Sequence, residues 1–198
     1  MLGRIVAAVP PEMTDEVLVD RLLAGGFNIY FRHVATDWSQ SDNVHKEEDW
    51  LNCNPAHMRQ LSDKGRADAR AIGKAMRELK IPDGEVLASP YCRTIETARL
   101  MDLGKVTPST DVMNLRAENY FGGRAAIIAS ARKLLATSPP PGTNRVIVAH
   151  GNVAREATPV YPGEGEGIVF QPDRNGDFKV IARLPPDRWA QLSTSLTD

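Results

Sequence analysis

The sequence predicts an α/β protein built on a mainly parallel sheet. The prediction rests on the two kinds of segment along the chain and on the way in which they alternate. Short apolar runs typical of buried strands alternate with longer stretches whose apolar residues recur at helical spacing. Strands and helices that alternate in this way form βαβ units, which place successive strands parallel to one another. No repeat or change in composition divides the 198 residues. We therefore expect a single domain, residues 1–198, with residues 1–13 as a flexible N-terminal segment.

The first predicted helix and strand lie near the N-terminus. Thr14 is a candidate helix cap, and Gly25-Gly26 is expected to end the helix. The run Phe27–Phe31 predicts a buried strand. The segment Val34–Arg59 has charges and two tryptophans but little apolar periodicity, so it is expected to be a long loop over the strand end. Loops of that length in compact domains are often functional.

A second helix and strand follow this loop. Ser62 is predicted to cap the helix, which should end near Pro82-Asp83-Gly84. The run Val86–Ala88 predicts a short strand. Ser89-Pro90 then resembles a cap and a first-turn proline that begin another helix. The apolar stripe of the second helix consists of Ala69, Ile72, Ala75, Met76 and Leu79.

The third strand is the most apolar of the chain. A helix is predicted over Arg124–Ala136, and prolines and a glycine at 139–142 end it. The strand Arg145–Ala149 follows and stops at His150-Gly151. Histidine and glycine directly after a buried strand indicate a polar site at a turn of the backbone.

Polar groups suited to binding an anion lie at the ends of two predicted strands and at the start of one predicted helix. Arg32 and His33 come after the first strand, and His150 comes after the third. Arg93 lies in the first turn of a helix, where a cation opposes the helix dipole but reinforces an anion site. In an open α/β sheet the carboxyl ends of the strands form the ligand-binding edge. The four side chains therefore predict a site for an anion the size of phosphate.

Composition limits the partners of the protein. Lysine and arginine total 24 against 25 for aspartate and glutamate, which gives no sign of a nucleic-acid partner. No apolar run reaches the ~18 residues that a membrane helix needs. The chain as written is predicted to be cytoplasmic, and export with a removed signal is the alternative. Cys53 and Cys92 are the only cysteines; they are two thiols, or a disulfide if the protein is exported.

The ordered motifs closely resemble those of the histidine phosphatase (phosphoglycerate mutase-like) superfamily. They are Arg32-His33, then Thr36, then Leu61 to Gly65 before an alanine-rich helix, then Ser89-Pro90-Tyr91-Cys92-Arg93-Thr94-Ile95-Glu96-Thr97-Ala98, then Val148 to Gly151. The resemblance runs from about Gly26 to at least Gly151. It implies a three-layer α/β/α sandwich around the mainly parallel sheet, and a phosphatase activity.

The resemblance also implies roles for the polar groups. His33 would attack phosphorus and form a phosphohistidine that water hydrolyses, while Arg32, Arg93 and His150 would surround the phosphoryl oxygens. Neither a metal ion nor another cofactor is expected. Two further positions, Thr36 and Ser39, correspond to the substrate pocket, with Ser39 in the place of a frequent asparagine.

The leaving group also needs a proton donor. The stretch 115–123 resembles the glutamate loop of the mutase branch, so Glu118 is the first candidate for the general acid. The alternatives are Glu164 and Glu166, of which Glu166 is also a candidate substrate-binding residue. Asn152 occupies a position where another branch of the family carries an acidic residue, and an amide cannot donate a proton in that way.

One departure from the family pattern concerns the residue after the nucleophile. The family usually has glycine there, whereas this chain has Val34, which narrows the expected pocket. The predicted function is a metal-independent phosphomonoesterase that acts on a small phosphorylated substrate. The alternatives are a phosphohistidine protein phosphatase and a weakly catalytic phosphate-binding or regulatory protein.

Overall fold

The computed structural model describes residues 13–195, and its architecture confirms the predicted α/β class. The helices are α1 (Asp15–Ala24), α2 (Asp63–Glu78), α3 (Cys92–Met101), α4 (Arg124–Ala136), α5 (Gly151–Ala157) and α6 (Pro186–Ser195). The strands are β1 (Asn28–Arg32), β2 (Asp83–Ala88), β3 (Val106–Pro108), β4 (Asn144–Ala149), β5 (Gly167–Pro172) and β6 (Phe178–Leu184). Residues 1–12 of the predicted N-terminal segment lie outside the described residues, and Met13 packs against the core.

The sheet is mainly parallel, as predicted. Its strand order is β3-β2-β4-β1-β5-β6, with parallel pairing from β3 through β1 and antiparallel pairing from β1 through β6. The neighbours β1 and β4 pair in register from Asn28 with Arg145 to Arg32 with Ala149. The residues that follow these two strands therefore leave the sheet side by side.

Helices cover both faces of the sheet and make three layers. Side chains alternate along β1, so Ile29 and Phe31 pack on one face and Tyr30 on the other. The first face lies against buried residues of α1, α2, α3 and α6, whereas the second lies against those of α4 and α5. Both faces are fully apolar at the centre, which explains why β4 is the most apolar run of the chain.

The predicted caps are confirmed for two helices and wrong for a third. The hydroxyl of Thr14 accepts from Val17 N–H at 3.4 Å, and that of Ser62 accepts from Gly65 N–H at 3.1 Å. The helix expected from Ser89-Pro90 instead begins at Cys92, with Tyr91 as its N-cap residue. Ser89 is not a cap, because its backbone N–H extends the pairing with Val148 and its hydroxyl faces His150.

The segment between β1 and α2 is long and largely irregular, as expected. Thr36 and Leu61 form an isolated bridge that brings its two ends together, and residues 49–51 form one 3₁₀ turn. A disulfide joins Cys53 of this segment to Cys92, so the thiol alternative is wrong for this structure. We call residues 34–61 the active-site loop. Among the described helices, none has the length and apolar character needed to cross a membrane.

Candidate active site

The predicted anion-binding groups meet at the carboxyl edge of the sheet. Arg32 and His33 end β1, His150 follows β4, and Arg93 lies in the first turn of α3 after β2. All four line one cavity of about 180 Å³. The other residues that line it are Trp38, Asp42, Arg59, Asn114, Arg116, Gly151, Asn152 and Tyr161.

His33 is buried at the bottom of this site and is held in one orientation. Its Nδ1 lies 3.0 Å from the backbone oxygen of Val34, which can only accept, so Nδ1 carries the proton and Nε2 has the free lone pair. Burial and the neighbouring Arg93 lower the pKa of His33 well below its usual value. The imidazole is therefore neutral at physiological pH, and a neutral imidazole nitrogen is a nucleophile.

His150 lies beside His33, with the two ring centres 5.7 Å apart. The hydroxyl of Tyr30 fixes the His150 backbone, since it donates to the carbonyl at 2.8 Å and accepts from the N–H at 3.1 Å. Nε2 of His150 lies 2.9 Å from Ser89 Oγ, whereas its Nδ1 is buried without a hydrogen-bond partner. Burial, followed by Arg93, lowers the pKa of His150 well below its usual value, so this ring is also neutral.

Four guanidinium groups line the cavity, two more than the sequence predicted. Arg32 and Arg93 were expected, and Arg59 and Arg116 join them from the active-site loop and the segment after β3. The Nε atoms of Arg32, Arg59 and Arg93 are buried and have no hydrogen-bond partner in the described residues. Burial and the nearby Arg93 lower the pKa of Arg59, which reflects the crowding of positive charge.

Asp42 is the carboxylate of the cavity, and sequence reasoning missed it. Its two oxygens accept from the two Nη atoms of Arg93 at 2.8 and 3.0 Å. One of these oxygens also accepts from Arg59 N–H at 3.2 Å, and the other lies 3.9 Å from Arg116 Nε. Both partners of the Asp42–Arg93 pair have side chains that are only 2% exposed.

Three predicted pocket residues lie beside the cavity and do not line it. Thr36 donates its hydroxyl proton to Glu164 at 2.9 Å, and Glu164 lies 3.6 Å from Arg32. Ser39 donates its hydroxyl proton to Asp37 in an exposed turn. Glu166 accepts two hydrogen bonds from Arg183 and one from Gly163 N–H. Burial opposes ionisation of Glu166, but these donors lower its pKa overall, so Glu166 is an ionised structural carboxylate.

The structure does not bring Glu118 to the cavity. Its carboxylate accepts from Arg124 Nε at 3.0 Å, and Arg124 also pairs with Glu156 on α5. Glu118 lies in a 3₁₀ turn at residues 115–120 that presents Arg116 to the cavity instead. The geometry therefore gives no support to Glu118 as the general acid. Asn152 does line the cavity, and it donates to Asn114 at 2.9 Å.

Val34 does not narrow the cavity, contrary to expectation. Its side chain is 1% exposed and packs in the core on the α1, α2 and α6 side of the sheet. Its φ angle lies outside the left-handed region that favours glycine. Its N–H donates to Thr97 Oγ1 at 3.4 Å, which ties the backbone after His33 to α3.

The described residues hold no cluster of three or more histidine, cysteine, aspartate or glutamate side chains arranged to bind a metal ion. The donors of the cavity are instead arginine and histidine nitrogens, the groups that bind oxyanions. The chemistry of this arrangement is therefore anion binding next to a neutral imidazole nucleophile.

Comparisons with known proteins agree with this geometry. Residues 29–123 match the model of the histidine phosphatase superfamily, branch 1. A search of curated sequences gave no significant match. The fold matches the protein histidine phosphatase SixA in complex with tungstate, with a TM-score of 0.57 and 12% identity, over 81% of this chain and 97% of SixA.

The fold also matches the mycobacterial glucosyl-3-phosphoglycerate phosphatase. The native structure gives a TM-score of 0.54 with 15% identity, over 78% of this chain and 96% of that one. Its complex with VO3 gives 0.55 with 14% identity, over 80% and 98%. The family match, which spans β1 to the turn before α4, supports the prediction of a phosphatase enzyme. The matched residues 29–123 are 95 of the 198 residues, and with the ordered motifs and this fold they make the chain similar to the histidine phosphatase superfamily.

Proposed function

We propose that this protein is a phosphomonoesterase that needs no metal ion and works through a phosphohistidine on His33. The observation that carries the proposal is the fixed tautomer of His33. Its Nδ1 proton is bound to the Val34 carbonyl, which leaves the Nε2 lone pair free in a cavity lined by four guanidinium groups. Burying a polar imidazole among arginines costs stability, and a neutral imidazole with a free lone pair is a good nucleophile for a phosphoryl group.

The proposed reaction has two steps. Nε2 of His33 forms a bond to phosphorus while the bond from phosphorus to the leaving oxygen breaks, and the electron pair goes to that oxygen. Water then attacks the phosphohistidine, which releases inorganic phosphate and restores the neutral imidazole. Arg32, Arg93 and His150 stabilise the negative charge that spreads over the phosphoryl oxygens in each transition state.

Unpartnered donors support the binding half of this proposal. The Nε–H groups of Arg32 and Arg93 are buried donors without partners among the described residues, and Nδ1 of His150 is a buried ring nitrogen without one. Buried donors without partners destabilise a protein unless a ligand satisfies them. A phosphoryl group offers three oxygens for these donors. Tungstate and VO3, the oxyanions bound in two of the similar structures, have the same kind of acceptors.

The size of the cavity favours a small substrate. Its volume of about 180 Å³ is below the ~300 Å³ at which sites for drug-sized ligands begin. The phosphoryl group therefore fills most of the cavity, and the rest of the substrate extends past Trp38 and Tyr161, which are 67% and 53% exposed at its rim. A disulfide is typical of oxidising compartments, so the Cys53–Cys92 bond favours the exported alternative over the cytoplasm.

The test is hydrolysis of p-nitrophenyl phosphate in the presence of EDTA. The wild type should hydrolyse this ester, and the rate of His33→Ala should be lower by at least about a thousandfold because the nucleophile is removed. His45→Ala, in the exposed part of the active-site loop, is the matched control and should keep the wild-type rate. Acid-labile phosphate on the wild type, absent from His33→Ala, should appear in rapidly quenched reactions.

Equal rates for the wild type and His33→Ala would refute the assignment of the nucleophile. No turnover by the wild type, together with protection against heat by inorganic phosphate, would favour the phosphate-binding alternative. Loss of activity with EDTA that added metal restores would contradict the metal-independent reaction.

A further inference from the structure

The leaving group of a phosphate ester needs a proton, and the cavity contains one carboxyl group that can supply it. Among the described residues that line the cavity, Asp42 is the only aspartate or glutamate. The three glutamates considered from the sequence are held elsewhere: Glu118 by Arg124, Glu164 by Thr36 and Arg32, and Glu166 by Arg183.

We infer that Asp42 is the general acid of this phosphatase, and that its substrates are phosphate esters of poorly acidic alcohols. The inference rests on the proposed phosphohistidine reaction. Esters of poor leaving groups are the substrates for which an acid accelerates the first step, because an alkoxide is too basic to leave without a proton.

The contacts of Arg93 bring the carboxyl group and the phosphoryl group together. Asp42 occupies both Nη atoms of the guanidinium, and Nε of the same guanidinium is buried without a partner. A phosphoryl oxygen that accepts from Nε therefore lies on the same planar group as the carboxyl oxygens of Asp42. Arginine can hold two oxyanions in this way because its donors point along separate edges of the plane.

Two anions on one guanidinium repel each other, and a proton on the carboxyl group relieves that repulsion. The groups that face Asp42 are Arg93 from α3, Arg59 from its own loop, and Arg116 and Tyr91 nearby. The neutral rings of His33 and His150 line the same cavity.

The proton then follows the chemistry. As Nε2 of His33 bonds to phosphorus, the O–H proton of Asp42 passes to the leaving oxygen, so an alcohol leaves and a carboxylate remains. In the second step that carboxylate takes a proton from the attacking water as its oxygen bonds to phosphorus and the bond to Nε2 breaks. Asp42 ends the cycle with the proton that it took from water, and inorganic phosphate departs.

Asp42→Asn tests the role, and phenyl phosphate and p-nitrophenyl phosphate are the probes. The two esters have nearly the same shape, but phenol has a pKa of about 10 and p-nitrophenol is far more acidic. The variant should lose at least about a hundredfold in kcat/KM on phenyl phosphate, the lower end of the range for general acids, and less than about tenfold on p-nitrophenyl phosphate. Asp42→Glu should keep a wild-type ratio of the two rates, and so should Glu47→Gln, an exposed carboxyl change in the same loop.

An equal loss on both esters would overturn the inference and make Asp42 a residue that only positions Arg93. If the Asp42 variants do not fold, the wild type decides: across a series of aryl phosphates kcat/KM should depend only weakly on the acidity of the leaving phenol, and a steep dependence refutes the acid. The parent proposal fails separately, if His33→Ala matches the wild type on p-nitrophenyl phosphate.

Discussion

Removing the disulfide between Cys53 and Cys92 should lower the stability of the protein by a large and calculable amount. The bond joins residues 39 positions apart in the sequence. A cross-link of that length restricts the unfolded chain and stabilises the fold by about 4 kcal/mol in the chain-entropy relation. The double variant Cys53→Ser/Cys92→Ser should therefore lose about this much free energy of unfolding, a large share of the stability of a domain.

Chemical denaturation of three samples measures the effect. The oxidised wild type should be the most stable, and the wild type with reductant should unfold at the lower denaturant concentration of the double variant. The double variant should be insensitive to reductant, which controls for effects of the reagent itself. Thiol titration of denatured, unreduced wild type should find no free thiol. A difference in unfolding free energy under about 1 kcal/mol would refute the entropic reasoning, and two free thiols would refute the bond.

The same bond should affect phosphate binding in protein that is still folded. Cys92 is next to Arg93, and Cys53 belongs to the active-site loop that carries Asp42 and Arg59. Reduction frees the middle of that loop from α3, so inorganic phosphate should inhibit the reduced enzyme more weakly than the oxidised one. Equal inhibition constants would mean that the Asp42–Arg93 pair alone holds the loop in place.

Three other predictions follow from buried contacts. Tyr30→Phe should cost about 1–3 kcal/mol and reduce activity, because the backbone N–H of His150 loses its partner and its C=O keeps only Ala154 N–H; calorimetry and the p-nitrophenyl phosphate assay measure the two effects. Gly65→Ala should destabilise by about 1–3 kcal/mol, because an added Cβ overlaps the carbonyl oxygen of Ala35, and unchanged denaturation would contradict this. NMR titration, with His33→Ala for assignment, should show a neutral His33 at about pH 6.5, where a free histidine is half protonated. Near this pH the unfolded chain binds more protons than the folded protein. The free energy of unfolding should therefore rise with pH through this range and fall on acidification.

The central residues of the site were predictable because the carboxyl ends of parallel strands lie at one edge of the sheet. Once β1, β2 and β4 were read as strands of one parallel sheet, the residues after them had to share one edge. Arg32, His33 and His150 could therefore be placed together without knowledge of any contact. Arg93 was predictable for a different reason, since a cation in the first turn of a helix opposes the dipole and calls for an anion.

The active-site loop was not predictable in the same way. Irregular segments have no periodicity, so nothing in residues 34–61 distinguishes Asp42 from the exposed carboxylates around it. The place of Asp42 depends on the Thr36–Leu61 bridge, on the disulfide and on its pairing with Arg93, all of which are contacts between distant residues. The disulfide itself was left open because two cysteines 39 positions apart are equally compatible with free thiols.

Glu118 shows how a motif can be close while the side chain that it suggests lies away from the cavity. The turn at 115–120 does reach the cavity, but the residue that it presents there is Arg116. In a 3₁₀ turn, residues two positions apart lie on different sides. Arg116 and Glu118 are two positions apart, so only one of them can face the cavity. The segment could be located from the sequence, whereas the side chain that faces the cavity depended on the turn geometry.

The charges around the cavity match the charge of a phosphomonoester. Four guanidinium groups line the cavity; Asp42 lies against Arg93, and Glu164 lies 3.6 Å from Arg32. Four positive and two negative charges leave a surplus of two, which is about the charge of a phosphomonoester dianion. Both histidines stay neutral because their burial and the surplus of positive charge oppose a fifth and a sixth cation. The arginines therefore do two things in the proposed reaction: they bind the phosphoryl group, and before it arrives they keep His33 unprotonated and ready to attack.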